Sequence, residues 1–454
     1  MPHTSTHTLD SYSKHTQSLI ALGVPIIVGQ VGTILQGLSD TIMVGQYSAH
    51  SLAAAGFVNS IMNLILVAAL GYSYGLTPVV GALHARGEYR EAGRALKSSL
   101  VVNGRMALYV GAVMTLLYFL LGHMGQPEEL LPEIRIYYLT ILLSLPLQMC
   151  FNGFKQFVDG VGDTRTTMWI LLTGNLLNIL GNWLLIYGIG PFPEWGILGA
   201  GVATLCSRLF MLASIALVVH HHPRFAPYHE GFYHDVRQPA QEQELHRLGL
   251  PLSMQMGMET ASFSLTAFMM GWLGAPQLAA HQVMCNVGAM CFLVYYGIGA
   301  ATAIRISHYK GLNRWADVRR ASLSGLWLTL SMGAIISALI LIYRHSLTSV
   351  FTDDAHINRI VISMMFPFVL YQFGDALQTN FANALRGIAD VHPMVRYAFI
   401  SYVLISLPLS YLFAFPLGMD AAGVWMAYPI ALTTAGILYS RRFFKRVNLR
   451  LQRA

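Results

Sequence analysis

The chain has 454 residues, 55% of them hydrophobic and only 11% charged, with a formal net charge of +7. Soluble domains carry about 25% charged residues, so this composition excludes a large water-dressed fold. The positive residues sit in short loops between apolar segments, a placement that reflects membrane orientation and argues against a nucleic-acid-binding patch.

In chain order, residues 1–17 form a polar tail without the charged start and cleavage site of a signal peptide. Twelve apolar segments of membrane-spanning length follow. The first six lie at 18–40, 51–75, 98–121, 135–157, 166–189 and 197–219. The second six lie at 247–273, 277–301, 320–342, 359–383, 394–415 and 421–440. The expected fold is an all-α polytopic membrane protein with two six-helix lobes, 18–219 and 247–440. A cytoplasmic loop over 220–246 joins them, and a basic tail over 441–454 ends the chain. Pro25, Pro146, Pro251, Pro367, Pro408 and Pro429 fall inside helices, which membrane helices tolerate where neighbours satisfy the freed carbonyl. Cys150, Cys206, Cys285 and Cys291 all lie in apolar segments and read as small buried hydrophobes. His220, His221, His222, His229 and His234 cluster in the central loop, where they read as solvated side chains rather than a metal frame.

Orientation follows from the loops. With the amino terminus in the cytoplasm, Arg86, Arg90, Arg94, Lys97, Arg305, Lys310, Arg314, Arg319 and Arg320 all face inward. Only Arg135, Arg344 and Arg359 fall outside, while Arg105 and Arg208 lie within helices near their cytoplasmic ends and are expected to snorkel. The asymmetry puts both termini in the cytoplasm and requires an even number of spans.

The two halves are a duplication. Leu22-Gly-Val-Pro25 matches Leu248-Gly-Leu-Pro251, and Phe154-(x)5-Gly160-(x)2-Asp163 matches Phe381-(x)5-Gly387-(x)2-Asp390. Six helices per half give both halves the same orientation, the parallel-repeat architecture of transporters.

The chemistry lies where the repeats differ. Asp375 sits in Tyr371-Gln-Phe-Gly-Asp375-Ala-Leu-Gln-Thr-Asn380-Phe-Ala-Asn383, with Tyr371, Asp375, Thr379 and Asn383 on one helical face. A charge at the bilayer centre costs about 2.5–3.5 kcal/mol on insertion scales, so it needs a partner, an ion or a cavity. Glu259 and Asp40 are similarly placed, but their counterparts in the other half are near Thr33 and Thr266, and that of Asp375 is near Gln148. Glu259 and Asp375, with the Tyr371 oxygen, offer hard ligands for one alkali cation, or the pair shares a proton. Asn178 and Asn182, one helical turn apart, are positioned to meet Asp40; helix–helix hydrogen bonding is the competing role. His281 reads as a hydrogen-bonded structural residue. No G-x-S-x-G or H-E-x-x-H motif marks an enzyme.

These motifs and acids together resemble the multidrug and toxic compound extrusion (MATE) family, in its NorM-type bacterial branch, over essentially the whole chain. Glu259, Tyr371 and Asp375 resemble the cation site of NorM-type members, and Asp40 with Asn178 and Asn182 resembles the amino-lobe site. Where some relatives carry an acid on helix five, Asn182 stands here, which weakens a sodium site in that lobe. The resemblance also puts Phe292 beside the acids as a cation–π residue.

The resemblance implies a monomeric antiporter of the bacterial cytoplasmic (inner) membrane, without an organic cofactor. It would export cationic amphipathic drugs and dyes in exchange for inward sodium, with protons as the alternative ion. Pro25, about four turns before Asp40, would let the first helix bend between states. A flippase for lipid-linked saccharides from a distant branch is the second reading, though it calls for a cavity lined with several arginines. A membrane enzyme or receptor is a third.

Overall fold

The computed structural model describes residues 10–351 and 354–453. The first nine residues of the expected polar tail, and Ala454 of the basic tail, lie outside the described residues. Among the described residues there are twelve long helices and no strand. Eleven are long and apolar enough to cross a membrane: α1 (Tyr12–Tyr47), α2 (Ala49–Ala85), α3 (Tyr89–His123), α4 (Glu128–Gly160), α5 (Thr164–Tyr187), α6 (Gly196–His221), α8 (Ala275–Gly311), α9 (Trp315–Ile342), α10 (Ala355–Gly387), α11 (His392–Ala414) and α12 (Asp420–Leu451). The remaining helix, α7 (Pro239–Leu273), holds the seventh expected span. Its Gln255, Glu259, Thr260, Ser262, Ser264 and Thr266 make it less apolar than the rest.

Five of the six prolines sit inside regular helix without ending it. In α11 the backbone is π-wound over Phe399–Ser406, immediately before Pro408. Widening the helix there accommodates a residue that has no N–H to give.

The described chain packs as two units. One, the amino-terminal unit, comprises Val28–Leu83 and Gly87–Gly257. The other, the carboxyl-terminal unit, holds the described residues up to Ile27, His84–Arg86 and the described residues from Met258 onward. These divisions fall inside α1 and α7 rather than in the central loop.

The repeated Leu-Gly-x-Pro motifs explain the divisions. In the carboxyl-terminal unit a Cβ on Gly23 would stand 3.2 Å from the Gly297 carbonyl oxygen of α8. In the amino-terminal unit a Cβ on Gly249 would stand 2.5 Å from the Tyr72 carbonyl oxygen of α2. Each motif is thus a helix crossing where only glycine lets backbones meet, and it sends the start of each half's first helix into the other half's packing. The Gly of the second repeated motif acts similarly: a Cβ on Gly387 would meet the Ala303 oxygen at 2.8 Å. Its Asp has diverged. Asp163 caps α5 through Thr166, whereas Asp390 anchors Arg442 at 2.6 Å and Arg446 at 3.0 Å.

The central loop is folded, while His220, His221, His222 and His234 stay exposed on it as expected. Phe225 and Tyr228 are fully buried against Phe157, so the loop's aromatics complete the core beneath α3 and α4. Its polar edge is clamped: the Asp235 carboxylate accepts from Arg90 and Arg94 at 2.6 Å each, and Lys97 reaches the Asp235 carbonyl at 2.8 Å. The histidines take local partners, His220 with the Tyr233 hydroxyl at 2.7 Å and His229 with the Val219 carbonyl at 2.8 Å. Among the described residues no group of three or more His, Cys, Asp or Glu is arranged to hold a metal.

The hydrogen bonds from Arg90 and Arg94 hold the Asp235 carboxyl below its ordinary range, against a smaller opposing effect of burial. A depressed folded value means the clamp's contribution is complete above the unfolded value of about 3.9 and is lost only as pH falls through the folded one. Amide-exchange protection over residues 226–238 is therefore expected to stay constant from pH 7 to about 4 and fall in stronger acid. Asp235→Asn should lose that protection at neutral pH. Protection that declines between pH 7 and 5 would mean that another group holds the loop.

Candidate functional site

In the carboxyl-terminal unit the site is built on α10. Asp375 is 1% exposed. Thr379, one turn on, donates to Asp375 Oδ1 at 3.1 Å, and Asn383 donates to the Thr379 carbonyl at 2.8 Å, so the polar face read from the sequence exists. Tyr371, one turn earlier, puts its hydroxyl beside the carboxyl. Asp375 Oδ2 is buried with no hydrogen bond. A buried, unsatisfied carboxylate oxygen is costly, and a cation or a proton is the species that satisfies it.

Glu259, on α7, stands within electrostatic reach of Tyr371, Tyr402 and Tyr439, and hydrogen-bonds with the Tyr402 hydroxyl. The two carboxylates are therefore joined by a relay. Thr379 Oγ1 reaches both Asp375 Oδ1 at 3.1 Å and Gln378 Oε1 at 3.0 Å, and Gln378 Nε2 donates to the Tyr402 hydroxyl at 2.8 Å. The Thr379 hydroxyl has one proton for two acceptors. When Asp375 is ionised the proton turns to it; when Asp375 is neutralised the proton is free to serve Gln378. The relay was not legible in the sequence, because Gln378 and Tyr402 carry no charge to draw attention.

Aromatic packing fixes Tyr371. Its ring stacks on Phe368 at 5.6 Å and 14°, with Phe263, Trp425 and Tyr428 edge-on around it. Phe368, Trp425 and Tyr428 are at most 2% exposed, so they form a packed wall that holds the phenol in place. Phe292 is half-buried, and its ring contact is with Tyr296 at 5.9 Å rather than with Tyr371. His281 takes the structural role expected of it, accepting from the Trp425 indole at 3.1 Å. Thr266, at the position equivalent to Asp40, bonds to the Tyr428 hydroxyl.

In the amino-terminal unit, α1 and α5 bring together the residues the sequence singled out. Asn182 donates to Asp40 Oδ1, and Gln36 Nε2 donates to Asp40 Oδ2 at 2.9 Å and to Asn178 Oδ1 at 3.0 Å. Asn178 also joins Thr204 of α6 at 3.2 Å. Turning the Asn178 amide over brings its nitrogen to 2.7 Å from Asp40 Oδ1 while its oxygen accepts from Thr204. Either orientation leaves Asp40 at the centre of the cluster.

Arg208, also on α6, departs from its expected snorkelling. Its guanidinium donates to Ser144 Oγ of α4 at 2.6 Å and acts electrostatically on Asp40. It lies midway along α6, about 18–20 Å of helix from either end, rather than near the cytoplasmic end. Arg105, by contrast, pairs with Glu242 at 2.7 Å on an exposed face. The signal for Arg208 was present, since an arginine midway along an apolar segment needs an internal partner.

Asp40→Asn is expected to fold and to slow transport about tenfold, or about 1.4 kcal/mol, because an amide reproduces the hydrogen bonds and not the charge. Transport rates in reconstituted vesicles check this. A rate equal to that of the unmodified protein would reduce the cluster to helix packing.

Comparison with known proteins gives a consistent picture. The MatE family model matches residues 25–184 and again 251–412, once in each half. The chain is 28% identical over 442 residues to the multidrug resistance protein NorM of Vibrio cholerae, covering 95% of this chain and 96% of the relative. It is 29% identical over 431 residues to a probable multidrug resistance protein NorM of Geobacillus kaustophilus, covering 93% of each. The eukaryotic MATE transporter AtDTX14 shares the fold with a TM-score of 0.86 at 17% identity, covering 98% of this chain and 100% of that one. An outward-facing multidrug resistance MATE family transporter does so with a TM-score of 0.86 at 19% identity and the same coverage.

Proposed function

The chain belongs to the MatE family, and from that premise we propose that it is a secondary active exporter of cationic amphipathic compounds, driven by inward sodium. It acts as a monomer in the bacterial cytoplasmic membrane, with both termini in the cytoplasm. The observation that carries the ion-coupled reading is Asp375: a buried carboxylate with one unsatisfied oxygen, beside the Tyr371 hydroxyl and linked to Glu259 through Thr379, Gln378 and Tyr402.

In the proposed cycle the ion neutralises Asp375, and that change frees the Thr379 proton for Gln378 and so alters what Tyr402 offers Glu259. Two carboxylates at the same site attract an organic cation, and ion binding removes that attraction. Exchange then requires only that ion and drug favour opposite states of the protein. Each net charge entering gains about 2.3 kcal/mol per 100 mV of membrane potential. Pro25 and Pro251 are the proposed bending points, since the packing units divide shortly after each, at Ile27 and at Gly257.

Sodium is preferred over the proton because Glu259, Asp375 and the Tyr371 oxygen offer three hard donors, whereas a proton needs one carboxylate. The test is drug release from everted vesicles. A sodium pulse at fixed pH should drive movement of a cationic dye, and a pH step at fixed sodium should not. Movement that follows only the pH step would assign coupling to protons. Saccharide flipping is disfavoured because Arg208, the arginine beside the amino-terminal cluster, is engaged by Ser144.

A further inference from the structure

The start of α1 lies in a buried charged cluster that the scheme above does not use. α8 and α9 are joined by a tight turn in which Asn313 takes a left-handed backbone, φ 56°, which asparagine tolerates better than most residues. The turn brings Asp317 into the first turn of α9, where the positive end of the helix favours a carboxylate. Asp317 is 0% exposed. Its Oδ2 accepts from Arg314 Nε at 2.8 Å, and its Oδ1 accepts from the Asp10 backbone N–H at 3.2 Å. His15, also buried, brings Nε2 to 3.4 Å from the same Oδ1 and lies edge-on to Tyr309 at 5.3 Å. Asp10 is gripped in turn: the Tyr309 hydroxyl donates to its Oδ2 at 2.7 Å, and Arg320 donates to its carbonyl at 3.0 Å. Arg320 also lies over the Tyr12 ring at 5.7 Å. All these residues belong to the carboxyl-terminal unit. The amino-terminal unit holds the start of α7 on α3 in the same manner: Gln241 accepts from Ser98 Oγ at 3.2 Å, and Glu242 accepts from Arg105 at 2.7 Å.

We propose that Asp317 is a positioning residue for transport: it clasps the start of α1 to the α8–α9 turn throughout the cycle, so that only the part of α1 beyond Pro25, which carries Asp40, changes between states. The two oxygens of Asp317 hold different segments, one its own turn and the other the chain entering α1. A carboxylate buried this deeply is kept only with such partners. Removing it takes away the acceptor of the Asp10 N–H and the negative charge among Arg314, Arg320 and His15. The packing units divide α1 after Ile27, so its two ends belong to different packing. A helix fixed at one end answers a change at the other by changing shape, not by sliding. The role in transport rests on the exporter reading given above; the clasp itself does not.

Amide exchange and transport of ethidium, a planar cationic dye, test this on the same preparations of full-length protein. In Asp317→Ala, residues 11–24 are expected to exchange at least about tenfold faster, the loss of a hydrogen bond to a charged group. Residues 28–47 should keep their rates. In reconstituted vesicles the variant should turn over about tenfold more slowly with an unchanged KM, because neither acid cluster is touched. Unchanged exchange over 11–24 overturns the clasp, and faster exchange with unchanged turnover overturns its role in transport. The paired variant Asp10→Cys with Asp317→Cys asks the converse and does not depend on the alanine variant folding. Bridged by a short, reducible bis-methanethiosulfonate, it is expected to move dye as fast as the unmodified protein treated with the same reagent. A block that reduction relieves overturns the proposal, since it would mean that the clasp opens during the cycle. The unmodified protein separates the two readings. If it moves no dye under a sodium or a proton gradient, the exporter reading fails, and exchange over 11–24 in Asp317→Ala still decides the clasp.

Discussion

In everted vesicles, Asp375→Asn and Glu259→Gln are each expected to cut ion-driven dye movement at least about a hundredfold, about 2.7 kcal/mol, while the protein still reaches the membrane folded. The isosteric amide at 375 still accepts from Thr379 Oγ1, so the local hydrogen bond survives. What it loses is the charge. A neutral amide is cheaper to bury than an ionised carboxylate, which is why folding is spared. Without a titratable or ion-binding group, no ion movement is tied to the drug. For Glu259 the loss falls at the other end of the relay, where the Tyr402 hydroxyl loses its charged acceptor. Full dye movement by both variants at normal expression would remove the carboxyl-terminal acids from the coupling site.

These two residues also mark how far the sequence carries. A lone carboxylate in an apolar segment is conspicuous, so Asp375, Glu259 and Asp40 were all legible. The face carrying Tyr371, Asp375, Thr379 and Asn383 followed from helical periodicity alone. The connection between Asp375 and Glu259 was not legible. It depends on Gln378, one residue off that face, and on Tyr402 from a π-wound stretch of α11, where the ordinary 3.6-residue spacing no longer tells which side a residue faces.

The second large effect concerns the central loop. Gly231→Val is expected to detach it from α3 and to destabilise the amino-terminal unit by about 3 kcal/mol or more, the upper end for overpacking. A Cβ at 231 would lie 1.8 Å from the Arg90 carbonyl oxygen, and one at Gly93 would lie 2.0 Å from the Tyr228 carbonyl oxygen. Both obstacles are backbone and cannot rotate away. Lifting the loop would expose Phe225 and Tyr228, now buried on Phe157, and open the Asp235 clamp. Gly231→Val should therefore melt at lower temperature in detergent and be cleaved rapidly at Arg237 by trypsin. A melting temperature and cleavage rate equal to those of the unmodified protein would show that the loop does not need this crossing. The sequence reading singled out the loop's clustered histidines and did not weigh its aromatics. The spacing of Phe225, Tyr228, Phe232 and Tyr233 was the available signal.

By itself the sequence determined the membrane class, the helix positions, the duplication and the identity of the acids within the apolar segments. Each is a local property: hydropathy over about 20 residues decides whether a segment is stable in lipid, and a charge inside such a segment stands out against it. Only the tertiary structure decided which groups those acids meet. Arg208 pairs with Ser144 from α4, Asp40 of α1 meets Asn182 from α5, and Glu259 reaches Asp375 through α10 and α11. Such pairings depend on how each helix is rotated about its axis and where glycines such as Gly23 and Gly249 let backbones close in. The rotations are fixed by contacts between residues far apart in the chain, and spacing along a single helix does not contain them.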